Sequence, residues 1–340
     1  MSSTIRKEAS CMNNTIIFKS SFARIINEYL RIRQNQGVNI AHELTIMKEL
    51  DQIMARHGKP MERITRELIE EWQSMQFNES DRTKYAKACQ MIRFCTYLCH
   101  IGIDSYIMPK PKRPANSFVP RIFSKEEIAK IFSIADTTTL PKPMFNSCLI
   151  SIPALIRFLY YAGCRVGETI SINNEDVDMV KGMVLLRNTK NRKNRLIPLN
   201  DNMKSIFSQY LWYRARLKVD DLDIPSGPFF IKADGTRISA NSAYNRFKEI
   251  LEKCGISHLG HNQGPRLHDI RHTFAVHSLQ HMVESGLDIY TALPILSVLL
   301  GHSSIYATEN YVRLTIQLFP DIVTKNGDAV KSIFPNIDMP

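Results

Sequence analysis

The sequence predicts a mainly α-helical protein with a small β-sheet, divided into an all-helical first domain and a mixed α/β second domain. Three observations predict it. From Phe18 to His100 apolar residues recur with a helical period. Met108-Pro109-Lys110-Pro111-Lys112-Arg113-Pro114 then interrupts that pattern, because proline fixes its own backbone and has no amide proton to give a helix. Beyond it, helical segments surround two β-rich runs, Met183 to Arg187 and Arg195 to Leu199.

With 340 residues, 44% of them apolar and 23% charged, the chain is long enough for two globular domains. Its formal charge of +11 favours a polyanionic partner, although a basic balance also serves solubility. The seven cysteines lack paired Cys-x-x-Cys spacing and read as reduced, mostly buried residues of a cytoplasmic protein. Residues 1 to 15 have no basic start followed by an apolar core, and no apolar run approaches a membrane span of roughly 18 residues. Secretion and membrane insertion are not expected.

In chain order, residues 1–14 form a polar tail and residues 15–107 a helical domain. Phe22, Ile25, Ile26, Tyr29 and Leu30 mark its first helix. Further helices are expected from Ile40 to His57, Glu67 to Met75 and Thr83 to His100. The last carries Arg82, Lys84, Lys87 and Arg93 beside an apolar stripe, a solvated face or one able to follow phosphates. Residues 108–120 form a linker whose Lys110, Lys112 and Arg113 are candidate DNA contacts, or an ordinary charged surface. The second domain, 121–311, opens with Ser124 and Glu127 at capping-box spacing. Residues 312–340 form a tail, apolar enough to pack within its own subunit or on a neighbour.

Within the second domain, Arg165 follows a helix break at Gly163, where a guanidinium and backbone amides can meet a phosphate together. Arg165 and Glu168 taken alone equally describe a helical ion pair. The two strands flank a loop dense in positive charge, with Lys190, Arg192, Lys193 and Arg195. Such a tip fits a DNA groove or simply a solvated hairpin end. A helix from Met203 to Leu217 takes Trp212 and Tyr213 into the core, a loop spans Asp220 to Pro228, and Ser239 to Cys254 is helical. In the helix starting at Leu267, His268 and Arg271 share one face. His268, His272 and His277 lack a His-Glu-x-x-His pattern, so no metal site is expected. The stretch Leu300-Gly301-His302 precedes Tyr311, nine residues after the histidine.

The ordered set Arg165, Lys190, His268-x-x-Arg271, Leu300-Gly301-His302 and Tyr311 resembles the signature of the tyrosine recombinases, the phage integrase family. The resemblance implies a helical core-binding (SAM-like) domain and a mixed α/β catalytic domain that close around duplex DNA. It implies a site-specific recombinase that cleaves and rejoins strands through a 3′-phosphotyrosyl link. Tyr311 would be the nucleophile, Arg165, Arg271 and His302 the phosphate donors, His268 the acceptor of the tyrosine proton, Lys190 the general acid and Glu168 a support. No ATP, metal or other cofactor is implied. The partners implied are double-stranded recombination sites, a homotetramer on two of them, and accessory DNA-bending or directionality proteins, in the cytoplasm or on a bacterial nucleoid. The family's tail docks on a neighbouring subunit. Type IB topoisomerase-like relaxation and a non-catalytic DNA-binding regulator are the other function classes. The chain departs from the compact members between Arg271 and His302, where His281 to Tyr290 reads as an added turn.

Overall fold

A computed structural model describes residues 18–115, 119–139, 147–187, 189, 194–257, 264–301 and 306–318. The chain divides into two compact units, Met1–Phe118 and Val119–Pro340. In the first, four helices, α1 (Ala23–Asn35), α2 (Ala41–Arg56), α3 (Arg66–Ser74) and α4 (Asp81–His100), enclose one apolar core. Phe22, Ile26, Leu50, Ile53, Trp72, Met91 and Phe94 are buried there. The stripe read on α4 is core, as its period requires. Lys87 departs from a phosphate-facing role, because it is largely buried and paired at 2.6 Å with both Glu49 and Glu79. Lys110, Lys112 and Arg113 are exposed in the segment that follows.

The second unit begins with α5 (Lys125–Thr137), whose Ser124 and Glu127 form the expected capping box. Helices α6 (Ile152–Ala162) and α7 (Val166–Ile170) precede a three-stranded antiparallel sheet of order β1-β2-β3, from Val177–Asp178, Met183–Leu186 and Arg195–Pro198. Next come α8 (Asp201–Arg214), α9 (Ala240–Lys253), α10 (Leu267–Glu284), α11 (Ile289–Leu300) and α12 (Tyr306–Leu318). Phe158, Phe207, Phe230, Phe247 and Ile270 lie in the main core of this unit. A second cluster joins α10, α11 and α12 through Val276, Leu279, Leu296, Leu300 and Tyr311.

Three expectations change. Trp212 and Tyr213 are half-exposed rather than core, because α8 buries Met203, Phe207, Tyr210 and Arg214 and these two fall on other faces. The Arg216 guanidinium lies over the Trp212 ring instead. The added segment after Arg271 is a lengthened α10 followed by a tight link to α11, which Asp288 caps through the amides of Tyr290 and Thr291. The boundary expected at residue 312 falls inside α12, and Val312 packs with Tyr311 in the second cluster. The expected tails, residues 1–14 and 319–340, lie outside the described residues. No helix among the described residues is long and apolar enough to cross a membrane.

Candidate active site

Helix α6 ends at Gly163, whose φ of 57° is left-handed. A Cβ there would sit 2.1 Å from the Phe274 ring, so this turn needs glycine twice over, for its backbone and for close packing on α10. The turn frees the Gly163 carbonyl to accept a hydrogen bond from Arg271 Nη1 at 2.6 Å. It also places Arg165 as the cap of α7. Arg165 donates to Glu168 twice, from its backbone amide at 3.1 Å and from Nη1 at 2.6 Å.

Glu168 is nearly buried and also accepts from Arg195 Nη2 at 3.1 Å. Burial pulls its pKa up, but the Arg165 hydrogen bonds and the Arg195 charge outweigh that and leave it below the ordinary carboxylate value. It therefore stays ionised and holds two guanidinium groups in place. Arg195 continues to the Leu300 carbonyl, 3.0 Å from its Nη1, and lies 3.5 Å from the Cys164 sulfur. This overturns the reading of Arg195 as a DNA contact. On β3 it pairs with the buried Leu186 of β2, and paired residues share one face of a sheet, so its side chain enters the core face with Ile197. The alternation Arg195, Ile197, Leu199 was the available signal.

Arg271 is almost fully buried and donates Nη2 to the same Leu300 carbonyl at 2.8 Å. Burial first, then the charge of Arg165, brings its pKa down to about 10, which leaves it cationic at neutral pH. Tyr311 reaches this group from α12. Burial raises the Tyr311 pKa, and Arg271 and Arg165 pull against that rise. Its hydroxyl lies 2.9 Å from His272 Nδ1.

The expected proton acceptor is His268, yet the phenol has its contact with another imidazole. The phenol meets His272, while His268 sits edge-to-face on the His272 ring with centroids 4.8 Å apart. Desolvation and then the cations Arg271, Arg266 and Arg165 push the His268 pKa down to about 4. Its surface is exposed, so the cations are the firmer cause. His272 was legible only as the residue one turn beyond His268, since its tyrosine lies 39 positions away. His277 instead bonds Tyr160 at 2.8 Å.

The described site thus gathers Arg165, Glu168, Arg195, His268, Arg271, His272 and Tyr311. Two guanidinium groups bind one carboxylate and a third, Arg271, meets the tyrosine hydroxyl, an arrangement that can receive a phosphodiester and stabilise added negative charge on it. Lys190, Arg192, Lys193 and His302 lie outside the described residues. Lys110, Lys112 and Arg113 belong to the first unit.

Residues 121–317 match the phage integrase family. A putative integrase/recombinase of Sinorhizobium fredii is 25% identical over 316 residues, covering 90% of this chain and 97% of that protein. Tyrosine recombinase XerC of Thermodesulfovibrio yellowstonii is 29% identical over 259 residues, 74% of this chain and 77% of its own. Among solved structures, XerH site-specific recombinase bound to palindromic difH substrate aligns with a TM-score of 0.64 at 17% identity, covering 94% of this chain and 88% of that one. A lambda integrase dimer bound to a COC′ core site aligns at 0.55 and 18% identity, covering 91% and 85%. At those identities the structures speak for the fold. The family match spans more than half of the chain, which belongs to the phage integrase family, the tyrosine recombinases, and is a site-specific DNA recombinase.

Proposed function

We propose that this chain cleaves a DNA strand with the Tyr311 hydroxyl, leaving a 3′-phosphotyrosyl link and a free 5′ hydroxyl, and rejoins it to a 5′ hydroxyl of a second site. The observation that carries the reading is that Tyr311 meets Arg271 in a largely buried cationic pocket shared with Arg165. As the tyrosine oxygen approaches phosphorus, charge grows on the non-bridging oxygens, and two fixed guanidinium groups are matched to it. The phenol proton passes to an imidazole of α10. Lys190 would protonate the leaving oxygen and His302 would add a hydrogen bond, roles that rest on the family signature. The new ester has nearly the energy of the bond broken, so the step reverses without ATP. Double-stranded recombination sites are the partner, and a homotetramer spanning two of them is the assembly we infer, with accessory DNA-bending or directionality proteins as further partners. Integration, transposition and dimer resolution all use this chemistry.

The test uses nicked duplexes carrying the DNA that flanks the gene, which trap a covalent adduct because the short cleaved strand diffuses away. The adduct should form in excess chelator and should disappear in Tyr311→Phe with site binding retained. Strand joining between two sites, rather than relaxation of one supercoiled circle, is the expected product. An adduct that survives in Tyr311→Phe sinks the assignment.

A further inference from the structure

The proton acceptor can be assigned more closely, on the reading that Tyr311 is the nucleophile. Two imidazoles of α10, His268 and His272, lie one turn apart with their rings in contact. Only one is in contact with the phenol: His272 Nδ1 lies 2.9 Å from the Tyr311 oxygen, with the ring centroids 5.7 Å apart. We propose that His272 holds the Tyr311 hydroxyl and takes its proton as the oxygen attacks phosphorus, while His268 stays a neutral group beside the phosphate.

The chemistry of the pocket supports this division. A buried phenol, its pKa raised, keeps its proton at neutral pH and is a weak nucleophile until a base removes it. A neutral imidazole with hydrogen on Nε2 presents a lone pair on Nδ1, where His272 meets the hydroxyl. His268 is poorly suited, since desolvation and three surrounding arginines hold its pKa down to about 4. Among the described residues, the charged and titratable groups of the surrounding site are His268, Arg266 and Arg271 on or beside α10, Arg165 and Glu168 at α7, and Arg195 on β3. The Arg271 and Arg165 charges favour the phenolate that forms. In the step, the proton moves from Tyr311 Oη to His272 Nδ1, the Oη–P bond forms and the P–O5′ bond breaks. The departing oxygen takes a proton from the general acid assigned to Lys190. Rejoining runs both transfers backwards, so nothing is consumed.

The test measures adduct formation between about pH 6 and 9 on a nicked site whose bridging 5′ oxygen is replaced by sulfur. That leaving group needs no proton, so the nucleophile side limits the rate. His272→Ala and His272→Gln should bind the site normally yet cleave about 10²-fold more slowly near pH 7. Their deficit should shrink as pH rises, because hydroxide then replaces the missing base in taking the phenol proton. His268→Gln should be slowed without that change of pH profile. A His272→Gln rate equal to wild type, a deficit constant with pH, or the hydroxide-dependent profile in His268→Gln instead would each overturn the assignment. Loss of site binding in both His272 variants would make the residue structural and would overturn it equally. If Ala alone loses binding, Gln decides, since its amide keeps the hydrogen bond. Failure of wild type to form any adduct, or an adduct in Tyr311→Phe, would instead remove the tyrosine reading and this assignment with it.

Discussion

Leu300 serves the site through a backbone atom: its carbonyl accepts from both Arg195 and Arg271, so its side chain gave no hint of the role. Arg271 is therefore a brace between the end of α6 and the end of α11, and in the proposed mechanism a donor for the phosphate as well. Arg271→Ala should lower adduct formation by about 10²–10³, the usual cost of one oxyanion donor. It should also destabilise the fold, since an unpaired buried carbonyl costs roughly 1–3 kcal/mol. Arg271→Lys keeps a charge but has no planar fork to span both carbonyls, so it should remain slow; cleavage rates and thermal unfolding report the two losses separately. His268 supplies a prediction in pH. Its folded pKa of about 4 lies below the ordinary 6.5, so the unfolded chain takes up the proton first. Its contribution to stability is complete above about 6.5 and is lost as pH falls toward 4, with solvent at the exposed ring moderating the size. Denaturant unfolding at pH 7 and pH 5 should show a smaller acid-side decline in His268→Gln than in wild type, and equal declines would refute the assigned environment.

At the scale of elements, most of the site was legible as order along the chain. The break at Gly163, the start of α10 and the Leu300-Gly301 turn all carry local signals of glycine, proline and period. What was not legible depends on which face a strand turns inward and on which helix turn meets α12, and both are set by tertiary packing. Arg195 is the clearest case: read in a run of cations it belongs to the loop tip, yet β3 turns it inward to bind Glu168 and Leu300. Gly301 follows from it. With φ of 64°, it caps α11, and a Cβ there would lie 2.2 Å from Arg195 Nη1. Gly301→Ala should therefore cost more than the roughly 1–2 kcal/mol of a left-handed alanine, because it also displaces the guanidinium. In an Arg195→Ala background the same substitution should cost only the backbone part. Thermal or denaturant unfolding of the four proteins gives the coupling, and additive losses would show that Gly301 and Arg195 do not share the space.

For the whole molecule, the sign of the charge matters more than any one pair. A formal +11 spread over 340 residues draws the chain to DNA of any sequence, while the proposed chemistry belongs to the cationic pocket of the second unit. The first unit has its own exposed cations at Lys110, Lys112 and Arg113. Lys112 and Arg113 line a cleft of that unit together with Lys84 and Tyr85. If these linker cations lie along phosphates, they contribute affinity without sequence information, and each contact releases counterions on binding. Lys110, Lys112 and Arg113 changed together to Ala should lower site affinity at low salt and reduce the slope of log affinity against log salt by up to roughly 3, about 0.9 for each phosphate no longer neutralised. The loss should be the same on unrelated DNA, because phosphate contacts do not read bases. Once the protein is saturated on its site, the adduct should form at the wild-type rate, since the cleaving groups lie in the other unit. Binding titrations at several salt concentrations, on cognate and random duplexes, measure all three. An unchanged salt slope would place these side chains off the DNA, and a loss confined to the cognate site would assign them to base recognition instead.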